Sequence, residues 1–398
     1  MFDNYRSIFR IKGAIRFSIA GFIARMHLSM DRLALMLIVI HETKSYALAG
    51  LMVATASVVI TISQPYWSRA ADIYGQGKVL YINTVLRFLG FSIFIFLVHF
   101  SFPVWSWFIS IIFAELNTVS AGGLVRRRWI LVLPEEKLKT AAFSFEALVD
   151  EIIFVFGPLI ATALSTSIAP EAGLVASLAF ILVGQPALAR LKETEPPIES
   201  PDGNPKQISI MKRKSAQAIV LPILFVGSYF GSVGICVVAF MNSIDKTELT
   251  GLMLAIWALG SGTAALFNGV VKWRMNHAQL FTYSMNFLLL TSFGLLISNS
   301  IQVLALVLFL NGLGISPILV NAYAVMEEEV SKNELTEAMT WVTTGTPTGG
   351  AIGSAIAGQV IDSFGTHRGF WIPILSLIIA NLALLPYLKV WIRLRSRS

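Results

Sequence analysis

Twelve long apolar stretches follow one another along this chain, and each is about 20 residues long, the length that a helix needs to cross a bilayer core of about 30 Å. A helix satisfies its own backbone hydrogen bonds, which a membrane-spanning segment requires because no water is available there. Charged residues make up 13% of the 398 residues, about half of their share in soluble domains. The sequence therefore predicts an all-α membrane protein, with spans 1 to 12 at residues 16–40, 46–68, 79–99, 104–125, 139–166, 171–190, 217–241, 249–271, 278–298, 301–325, 335–361 and 369–390.

Lysine and arginine residues collect in every second gap between the spans. The amino-terminal tail, the gaps after spans 2 and 4, the segment after span 6 and the carboxyl-terminal end carry most of them, whereas the odd-numbered gaps carry only Lys44, Lys246 and Arg368. Cytoplasmic loops of membrane proteins are enriched in basic residues, so this asymmetry predicts that both termini are cytoplasmic. We interpret the net charge of +7 as a topology signal with anionic membrane lipids as its partner, and we expect no nucleic-acid partner.

A polar segment at residues 191–216 divides the chain into halves of about equal length, each with six spans. The segment is rich in Pro, Glu, Ser and Lys, and such a composition buries too little apolar surface to fold alone. The boundaries predict an amino-terminal six-helix bundle at 1–190, a cytoplasmic linker at 191–216 and a carboxyl-terminal six-helix bundle at 217–398. Two matching halves are typical of duplicated transporters, which bind substrate near the bilayer midplane.

The gap between spans 2 and 3 has the sequence SRAADIYGQGK at residues 68–78. It resembles the signature loop of the major facilitator superfamily, in which a small residue, Ala-Asp, an aromatic residue, Gly and closing basic residues follow one another. Three residues match this pattern: Asp72, Gly75 and Lys78. Four others depart from it: Ser68, Ile73, Gln76 and Gly77. The resemblance covers nearly the whole chain and implies twelve transmembrane helices in two pseudo-symmetric six-helix bundles.

Four further segments resemble a bacterial, actinobacterial-like branch of efflux-type members, at residues 24–30, 124–129, 145–151 and 335–341. In antiporter members, span 5 carries a longer glycine-rich motif that ends in Gly-Pro, and this chain has its core, Gly157 and Pro158. The resemblance implies a multi-pass protein of the bacterial cytoplasmic (inner) membrane that exports small molecules.

Ionisable residues within the spans are candidates for the mechanism. A charge at bilayer depth costs at least about 2.5–3.5 kcal/mol on insertion scales, so each one indicates a partner, water or a function. All the main candidates lie in the first half of the chain: Arg25, Asp31 and Arg32 in span 1, Arg87 in span 3, Glu115 in span 4, and Glu146, Asp150 and Glu151 in span 5.

Two roles are open for these residues. Spans 1, 4, 7 and 10 line the central cavity in this superfamily, so the resemblance implies that Asp31 and Glu115 face water and couple protons to substrate. The alternative is structural: Asp31 neutralises Arg32 or Arg87, and the acidic residues of span 5 form ion pairs with Arg25 or Arg32 that hold the first half together.

The signature loop is expected to act as a cytoplasmic gate. The resemblance implies that Asp72 locks the cytoplasmic side when the transporter opens outward and that it pairs with an arginine at the end of span 4, where Arg126 and Arg128 match. Gly75 and Lys78 complete this predicted gate. The alternative for Asp72 is a solvated loop charge.

Small and kinking residues mark spans 5 and 11. Proline removes one helix hydrogen bond and clashes with the preceding turn, so Gly157 and Pro158 predict either a hinge or simple helix curvature. In span 11, Gly345, Gly349 and Gly353 predict close packing against a neighbouring helix, as small residues at regular spacing do in membranes.

Four polar or aromatic residues of the second half are candidate cavity-lining residues: Tyr229 and Phe230 in span 7, and Asn321 and Tyr323 in span 10. Packing inside the bundle is the alternative for all four.

Enzymatic and metal-dependent functions are not expected. The five histidines are scattered without metal-ligand spacing, the lone Cys236 excludes a disulfide framework within the chain, and no phosphate-binding glycine loop is present. We therefore expect no metal, no cofactor and no ATP hydrolysis.

The sequence as a whole predicts a monomeric secondary-active transporter that works by alternating access. Its predicted activity is proton-coupled export of a small amphipathic or lipophilic compound, with protons as the second partner. Three alternatives stay open: a metabolite importer or facilitator, a lipid-handling relative, and a non-transporting membrane sensor of the same fold.

Overall fold

A computed structural model of the protein describes residues 7–133, 135–198, 211, 214–271, 274–330, 335–387 and 391. Within these ranges the secondary structure is helical, without any strand. Most of the predicted linker (199–210 and 212–213) and the basic carboxyl terminus (392–398) lie outside the described residues.

The helices form the predicted order of twelve spans. In the first half, the spans are Ala14–Arg25 with His27–Thr43, Tyr46–Tyr74, Gln76–His99, Val104–Glu115 with Ala121–Val132, Glu136–Ser167, and Ala172–Arg190. In the second half, they are Lys214–Ser243, Thr250–Val270, His277–Ser292 with the 3-10 turn Phe293–Ile297, Ile301–Glu329, Leu335–Phe364, and Thr366–Gly369 with Trp371–Leu382. The predicted fold class is therefore confirmed. Several helices run past the apolar stretches because hydropathy marks the membrane boundary and not the helix end.

Short 3-10 turns complete the described secondary structure at Lys192–Thr194, Thr247–Leu249 and Leu385–Tyr387. Among the described residues, nine helices are long and apolar enough to span a membrane, and Val104–Glu115 is a shorter apolar helix. Spans 1 and 4 are each divided into two helices, and both divisions coincide with ionisable residues.

The break in span 4 has a local cause. Residues 116–120 separate its two helices, and Ser120 caps the second helix by accepting a hydrogen bond from the Gly123 N–H at 3.4 Å. Serine at this position satisfies a backbone donor that would otherwise lack a partner. The interruption brings the Thr118 hydroxyl to 2.7 Å from Oε2 of Glu115.

Contacts divide the chain into two compact units. The amino-terminal unit comprises Met1–Ile38 and Val58–Asn204, and the carboxyl-terminal unit comprises Val39–Ser57 and Pro205–Ser398. The end of span 1 and the start of span 2 thus group with the second half of the chain. Among the described residues, the buried arginine, aspartate and glutamate side chains all lie in the amino-terminal unit.

Glycines bring span 11 close to span 7 within the carboxyl-terminal unit. A Cβ atom built on Gly349 would lie 1.7 Å from the Leu224 carbonyl oxygen, and one on Gly353 would lie 1.9 Å from the Ser228 carbonyl oxygen. Gly345 is less tightly placed, with its nearest neighbour, Ile223, at 3.3 Å. Only glycine allows two helix backbones to approach this closely.

Candidate functional site

One arginine lies between two buried carboxylates in the amino-terminal unit. Nη2 of Arg87 in span 3 donates hydrogen bonds to Oδ2 of Asp31 in span 1 at 2.8 Å and to Oε2 of Glu115 in span 4 at 3.1 Å. The imidazole Nδ1 of His27 lies 3.0 Å from the same Asp31 oxygen and 3.0 Å from Arg87 Nη1. We call His27, Asp31, Arg87 and Glu115 the Arg87 cluster.

Hydroxyl groups complete the Arg87 cluster. Ser177 of span 6 donates to Oδ1 of Asp31, and Thr118 donates to Oε2 of Glu115. Asp31 is 5% exposed and Glu115 is 1% exposed. The expectation that these two acids face water is corrected by this packing, because four spans of the unit surround them.

The Arg87 cluster does not have the arrangement of a metal site. Histidine and two carboxylates are metal-ligating residue types, but the Arg87 guanidinium occupies the position between them. Among the described residues, no group of three His, Cys, Asp or Glu side chains is placed to hold a metal ion.

Arg32 differs from its neighbours in span 1. Between residues 24 and 40, all of which the structure describes, Arg32 is the only exposed residue, and only Leu28 is half-buried. The guanidinium forms no hydrogen bond or ion pair with another described residue, although the charges of Asp31 and Glu115 act on it electrostatically. The predicted pairing of Asp31 with an arginine is thus made by Arg87 and not by Arg32.

A second charged group joins span 1 to spans 4 and 5. Nη2 of Arg25 lies 2.5 Å from Oε2 of Glu146, and Nη1 lies 2.8 Å from Oδ1 of Asp150. The other Asp150 oxygen pairs with Arg126 at 2.8 Å, and the indole Nε1 of Trp129 donates to Glu146 at 2.7 Å. Arg25 and Glu146 are both fully buried. We call these five residues the Arg25 cluster; it contains ion pairs between Arg25 and the acidic residues of span 5, as the structural alternative expects.

Glu151, the third acidic residue of span 5, is half-buried and also interacts with its surroundings. Two turns further along this span, Gly157 lies against span 1. A Cβ atom at Gly157 would be 1.8 Å from Oγ of Ser29, whose hydroxyl donates to the Ile153 carbonyl at 2.8 Å. Pro158 follows inside the same helix. Gly157 therefore allows the close approach of spans 1 and 5.

The signature loop binds span 4 through a different arginine from the two that we expected. The carboxylate of Asp72 pairs with Arg127, whereas Arg126 belongs to the Arg25 cluster and Arg128 turns the other way. Three consecutive arginines point in three directions because successive residues on a helix are about 100° apart. The loop itself requires Gly75, whose φ of 88° is one that other residues rarely adopt.

Arg128 and Glu195 fasten the segment after span 6 to the start of span 3. The buried Arg128 guanidinium donates from Nε to Oε1 of Gln76 at 2.9 Å and from Nη1 to the Leu191 carbonyl at 2.8 Å. Oε1 of Glu195 accepts the Gly77 N–H at 2.7 Å, and Oε2 pairs with Lys192 at 2.7 Å.

These contacts set the charge state of Glu195. Burial by itself would raise its pKa, but the Gly77 N–H, the Lys192 ammonium and the Arg128 charge outweigh burial and hold the pKa below its ordinary value. Glu195 is therefore ionised at neutral pH. Lys78, the last residue of the signature loop, is exposed and lies over the Tyr74 ring at 5.6 Å.

Among its described residues, the carboxyl-terminal unit buries polar pairs, and none of its described arginine, lysine, aspartate or glutamate side chains is fully buried. Tyr229 is fully buried, and its hydroxyl donates to Oδ1 of Asn311 at 2.5 Å. Asn321 is 3% exposed, with Oδ1 at 2.7 Å from Nδ1 of His277. These two residues pack inside the unit, which corrects their expected cavity-lining position, because each side chain finds its hydrogen-bond partner on a neighbouring span. Phe230 and Tyr323 are half-buried.

An aspartate at the end of span 11 caps the start of span 2. Oδ1 of Asp362 accepts the Tyr46 N–H at 2.9 Å, while Oδ2 accepts the Ala47 N–H at 2.9 Å and the Ser45 hydroxyl at 2.7 Å. Anions are stabilised at a helix amino terminus because the first N–H groups lack partners within the helix. Two close glycine contacts continue this interface, Gly50 with Ser354 and Gly358 with Tyr46.

Sequence reasoning missed several of these residues. Ser177 and Trp129 are ordinary residues of membrane helices, so nothing in the sequence marks them as partners of Asp31 and Glu146. Glu195 lies in a polar segment where charges are common. A signal existed for Asp362, since it is an acidic residue at the end of a span, but only the fold brings it to span 2.

Comparisons with known proteins agree with this architecture. The profile of the Major Facilitator Superfamily matches residues 17–249 and 215–397. A point mutant of the nucleoside transporter NupG aligns with a TM-score of 0.73 at 13% identity, covering 94% of this chain and 98% of its own. A bacterial homologue of the iron transporter ferroportin, in an inward-facing state, aligns with a TM-score of 0.69 at 16% identity, covering 96% and 99%.

A POT family transporter in complex with 5-aminolevulinic acid has a TM-score of 0.73 at 11% identity, and covers 96% of this chain and 97% of its own. None of the curated protein sequences matches the chain. At such low identities these structures share the fold with this protein, and their substrates differ widely from one another.

Proposed function

Because this chain belongs to the major facilitator superfamily and is a membrane transporter, we propose that it is secondary-active, that it couples transport to protons and that the Arg87 cluster is the coupling site. The observation that carries this proposal is the position of one guanidinium between two carboxylates, with contacts of 2.8 and 3.1 Å. The two acids share this one hydrogen-bonding guanidinium, so we propose that one of them is the group that gains and loses a proton.

The cluster and the Ser177 hydroxyl that binds Asp31 join spans 1, 3, 4 and 6, so a proton that enters or leaves changes contacts among four spans at once. A buried ion pair that loses one charge costs about 3–5 kcal/mol. That free energy is large enough to shift a protein between two conformations, which differ by a few kcal/mol. Protonation is thereby linked to alternating access.

Two contacts at helix ends are the proposed gates of this cycle. On the side of the signature loop, Asp72 pairs with Arg127, and Gly75, Lys78, Arg126 and Arg128 support or flank that contact. At the opposite ends of the spans, Asp362 caps span 2. In an alternating-access cycle these contacts break and form in turn. The basic gaps predict the signature loop on the cytoplasmic side of a bacterial inner membrane, with both termini there.

The proposed substrate is a small amphipathic compound, which the protein exports. Transport of a metal ion, the cargo of one of the similar structures, is not favoured because no suitable ligand cluster occurs among the described residues. The resemblance implied antiport. Antiport and cotransport would both use the same coupling site. They differ in whether substrate and proton compete or bind together. We propose a monomer in the membrane, since each chain contains two six-span halves.

Proteoliposomes with a trapped pH indicator test the proposal. A panel of amphipathic cations, neutral compounds and anions is added under an imposed pH gradient. At least one compound should move protons through the wild type but not through Asp31→Asn or Glu115→Gln. Glu248→Gln is the matched control, because Glu248 is an exposed carboxylate between spans 7 and 8. Compound-driven proton movement that survives both cluster variants would contradict the coupling assignment.

A further inference from the structure

Arg32 is an exposed arginine beside the Arg87 cluster, and its surroundings indicate what kind of substrate the protein binds. A lipid-facing helix exposes a stripe of side chains, so the residues three, four and seven positions from Arg32 would share its exposure. Most of them do not: Leu35 and Val39 are 0% exposed, Met36 is 6% exposed and Ser29 is 8% exposed, while Leu28 is half-buried. Residues 24–40 of span 1 are therefore largely enclosed by protein, and the exposed side chain of Arg32 lies at a local opening in this enclosure.

A guanidinium without an ion-pair partner at bilayer depth raises the free energy of the folded protein. Exposed arginines at bilayer depth are rare and mark substrate or ion pathways when they face a cavity. Arginine presents up to five N–H donors in a planar fork that matches the geometry of a carboxylate or a phosphate. Neither neighbouring acid uses this fork in the structure: Asp31 and Glu115 bind Arg87, Ser177 and Thr118.

The charge balance links Arg32 to the proton. Asp31 and Glu115 contribute two negative charges, and Arg87 and Arg32 contribute two positive charges, so with a neutral His27 the group is neutral overall. Both carboxylates act electrostatically on Arg32. A proton on either acid leaves one uncompensated positive charge at Arg32, and a bound anion restores neutrality.

We propose that Arg32 binds an oxyanion group of the transported compound, either a carboxylate or a phosphate, and that this anion and one proton on the Arg87 cluster bind together. The inference rests on the proposed function and makes it more specific: the amphipathic substrate has an acidic head group, and the mode is cotransport. Proton and anion then move in the same direction, and the anion leaves the cell when its outward gradient exceeds the inward proton gradient.

Chemical modification of arginine tests the binding site in the purified full-length protein. Phenylglyoxal reacts with accessible guanidinium groups, and mass spectrometry reports each site separately. Arg32 should react, as should the exposed Arg69, whereas Arg25 and Arg87, which are 0% and 1% exposed, should not. Failure of Arg32 to react while Arg69 reacts would overturn the proposal.

The anions used as probes are sodium benzoate and inorganic phosphate, with benzamide as the uncharged counterpart of benzoate. At about twice its dissociation constant, a binding anion slows modification of Arg32 about threefold by mass action. Protection by benzoate alone indicates a carboxylate site, and protection by phosphate alone indicates a phosphate site. Equal protection at Arg69, equal protection by benzamide, or no protection by either anion would each overturn the anion site.

The proton link has its own readout. Because linkage is reciprocal, the affinity for the protecting anion should rise as the pH falls from about 8 to about 6, by at most about tenfold per pH unit for one linked proton. Glu115→Gln should bind the anion tightly at both pH values. A wild-type affinity that does not change with pH would overturn joint binding.

The two experiments distinguish failure of the proposed coupling site from failure of the proposed anion site. If compound-driven proton movement in proteoliposomes depends on Asp31 and Glu115 but no anion protects Arg32, the proposed function is supported and the anion site is refuted. If an anion protects Arg32 but both acid variants retain proton movement, the anion site is supported and the coupling assignment is refuted.

Discussion

The carboxylate of Asp362, near the end of span 11, lies 2.9 Å from the backbone nitrogen of Tyr46, the first residue of span 2. The two residues are far apart in the sequence, and both belong to the carboxyl-terminal unit. The contact is a helix cap provided by a distant side chain. It makes the start of span 2 depend on the position of span 11.

Replacing Asp362 should therefore destabilise this end of the protein. Asp362→Ala removes the acceptor for two backbone N–H groups and should cost about 1 kcal/mol, as loss of a helix cap does. Asp362→Asn is the matched control, since asparagine caps helices about as well as aspartate. Thermal unfolding in detergent measures the effect, and cysteine labelling on both faces reports any shift between conformations. An equal loss in both variants would show that the negative charge matters and the cap does not.

The gate pair is predicted to behave as one interaction. Asp72→Asn and Arg127→Gln should each leave the protein inserted but alter the balance between inward- and outward-open states. The double variant should resemble either single variant, because residues in contact are not additive. Cysteine labelling from both faces measures this balance, and the buried Cys236 should add little background.

Arg126→Gln is the control for the gate pair, since Arg126 binds Asp150 and not Asp72. An effect of Arg126→Gln equal to that of Arg127→Gln, or unchanged labelling in Asp72→Asn, would contradict the assignment.

The Arg25 cluster should be a structural element. Glu146→Gln leaves the buried Arg25 with one ionised partner in place of two, and removal of one member of a buried pair costs up to about 3–5 kcal/mol. Replacing both Arg25 and Glu146 by leucine should cost less than the sum of the single replacements, because no uncompensated charge remains. Yield and thermal unfolding in detergent are the measurements.

Glu248→Gln serves as the reference, because an exposed pair such as Glu248 with Lys246 contributes at most about 1 kcal/mol. If Glu146→Gln is as stable as this reference, the cluster has no structural role.

Two adjacent glycines of span 11 provide a matched pair of substitutions. Gly349→Ala places a methyl group 1.7 Å from the Leu224 carbonyl oxygen, so spans 7 and 11 must separate, at a cost of about 1–3 kcal/mol or more. Gly350→Ala meets its nearest atom, the Gly227 carbonyl oxygen, at 3.5 Å, which is an ordinary contact. Gly350→Ala should therefore keep the wild-type unfolding temperature while Gly349→Ala lowers it. The opposite order would refute this packing.

The Glu195 contact should depend on pH in a defined direction. Its pKa lies below the ordinary value of 4.5, so its stabilisation is complete above that value and is lost as the pH falls through the lower, folded-state pKa. Wild type and Glu195→Gln should differ by a constant unfolding temperature near neutral pH, and the difference should vanish in acid. A difference that instead grows on acidification would contradict the assigned charge state.

The apolar stretches and the alternation of basic gaps were enough to predict the membrane class and the order of twelve spans. A helix that crosses the bilayer needs about 20 apolar residues. Such a run is visible in the local composition of the sequence, so the spans can be predicted without knowing the fold. The signature loop at 68–78 was also recognisable from the sequence. Its Gly75 has a φ of 88°, a backbone conformation that glycine adopts more readily than any other residue.

Tertiary structure alone decided which charges meet. The same composition allowed Asp31 to pair with Arg32 or with Arg87, and it allowed Asp72 to pair with any of three consecutive arginines. Spacing along one helix specifies the face of a side chain but not which distant span lies opposite. Packing of spans 1, 3, 4 and 6 selected Arg87, buried the acids that were expected to face water, and left Arg32 as the exposed cation.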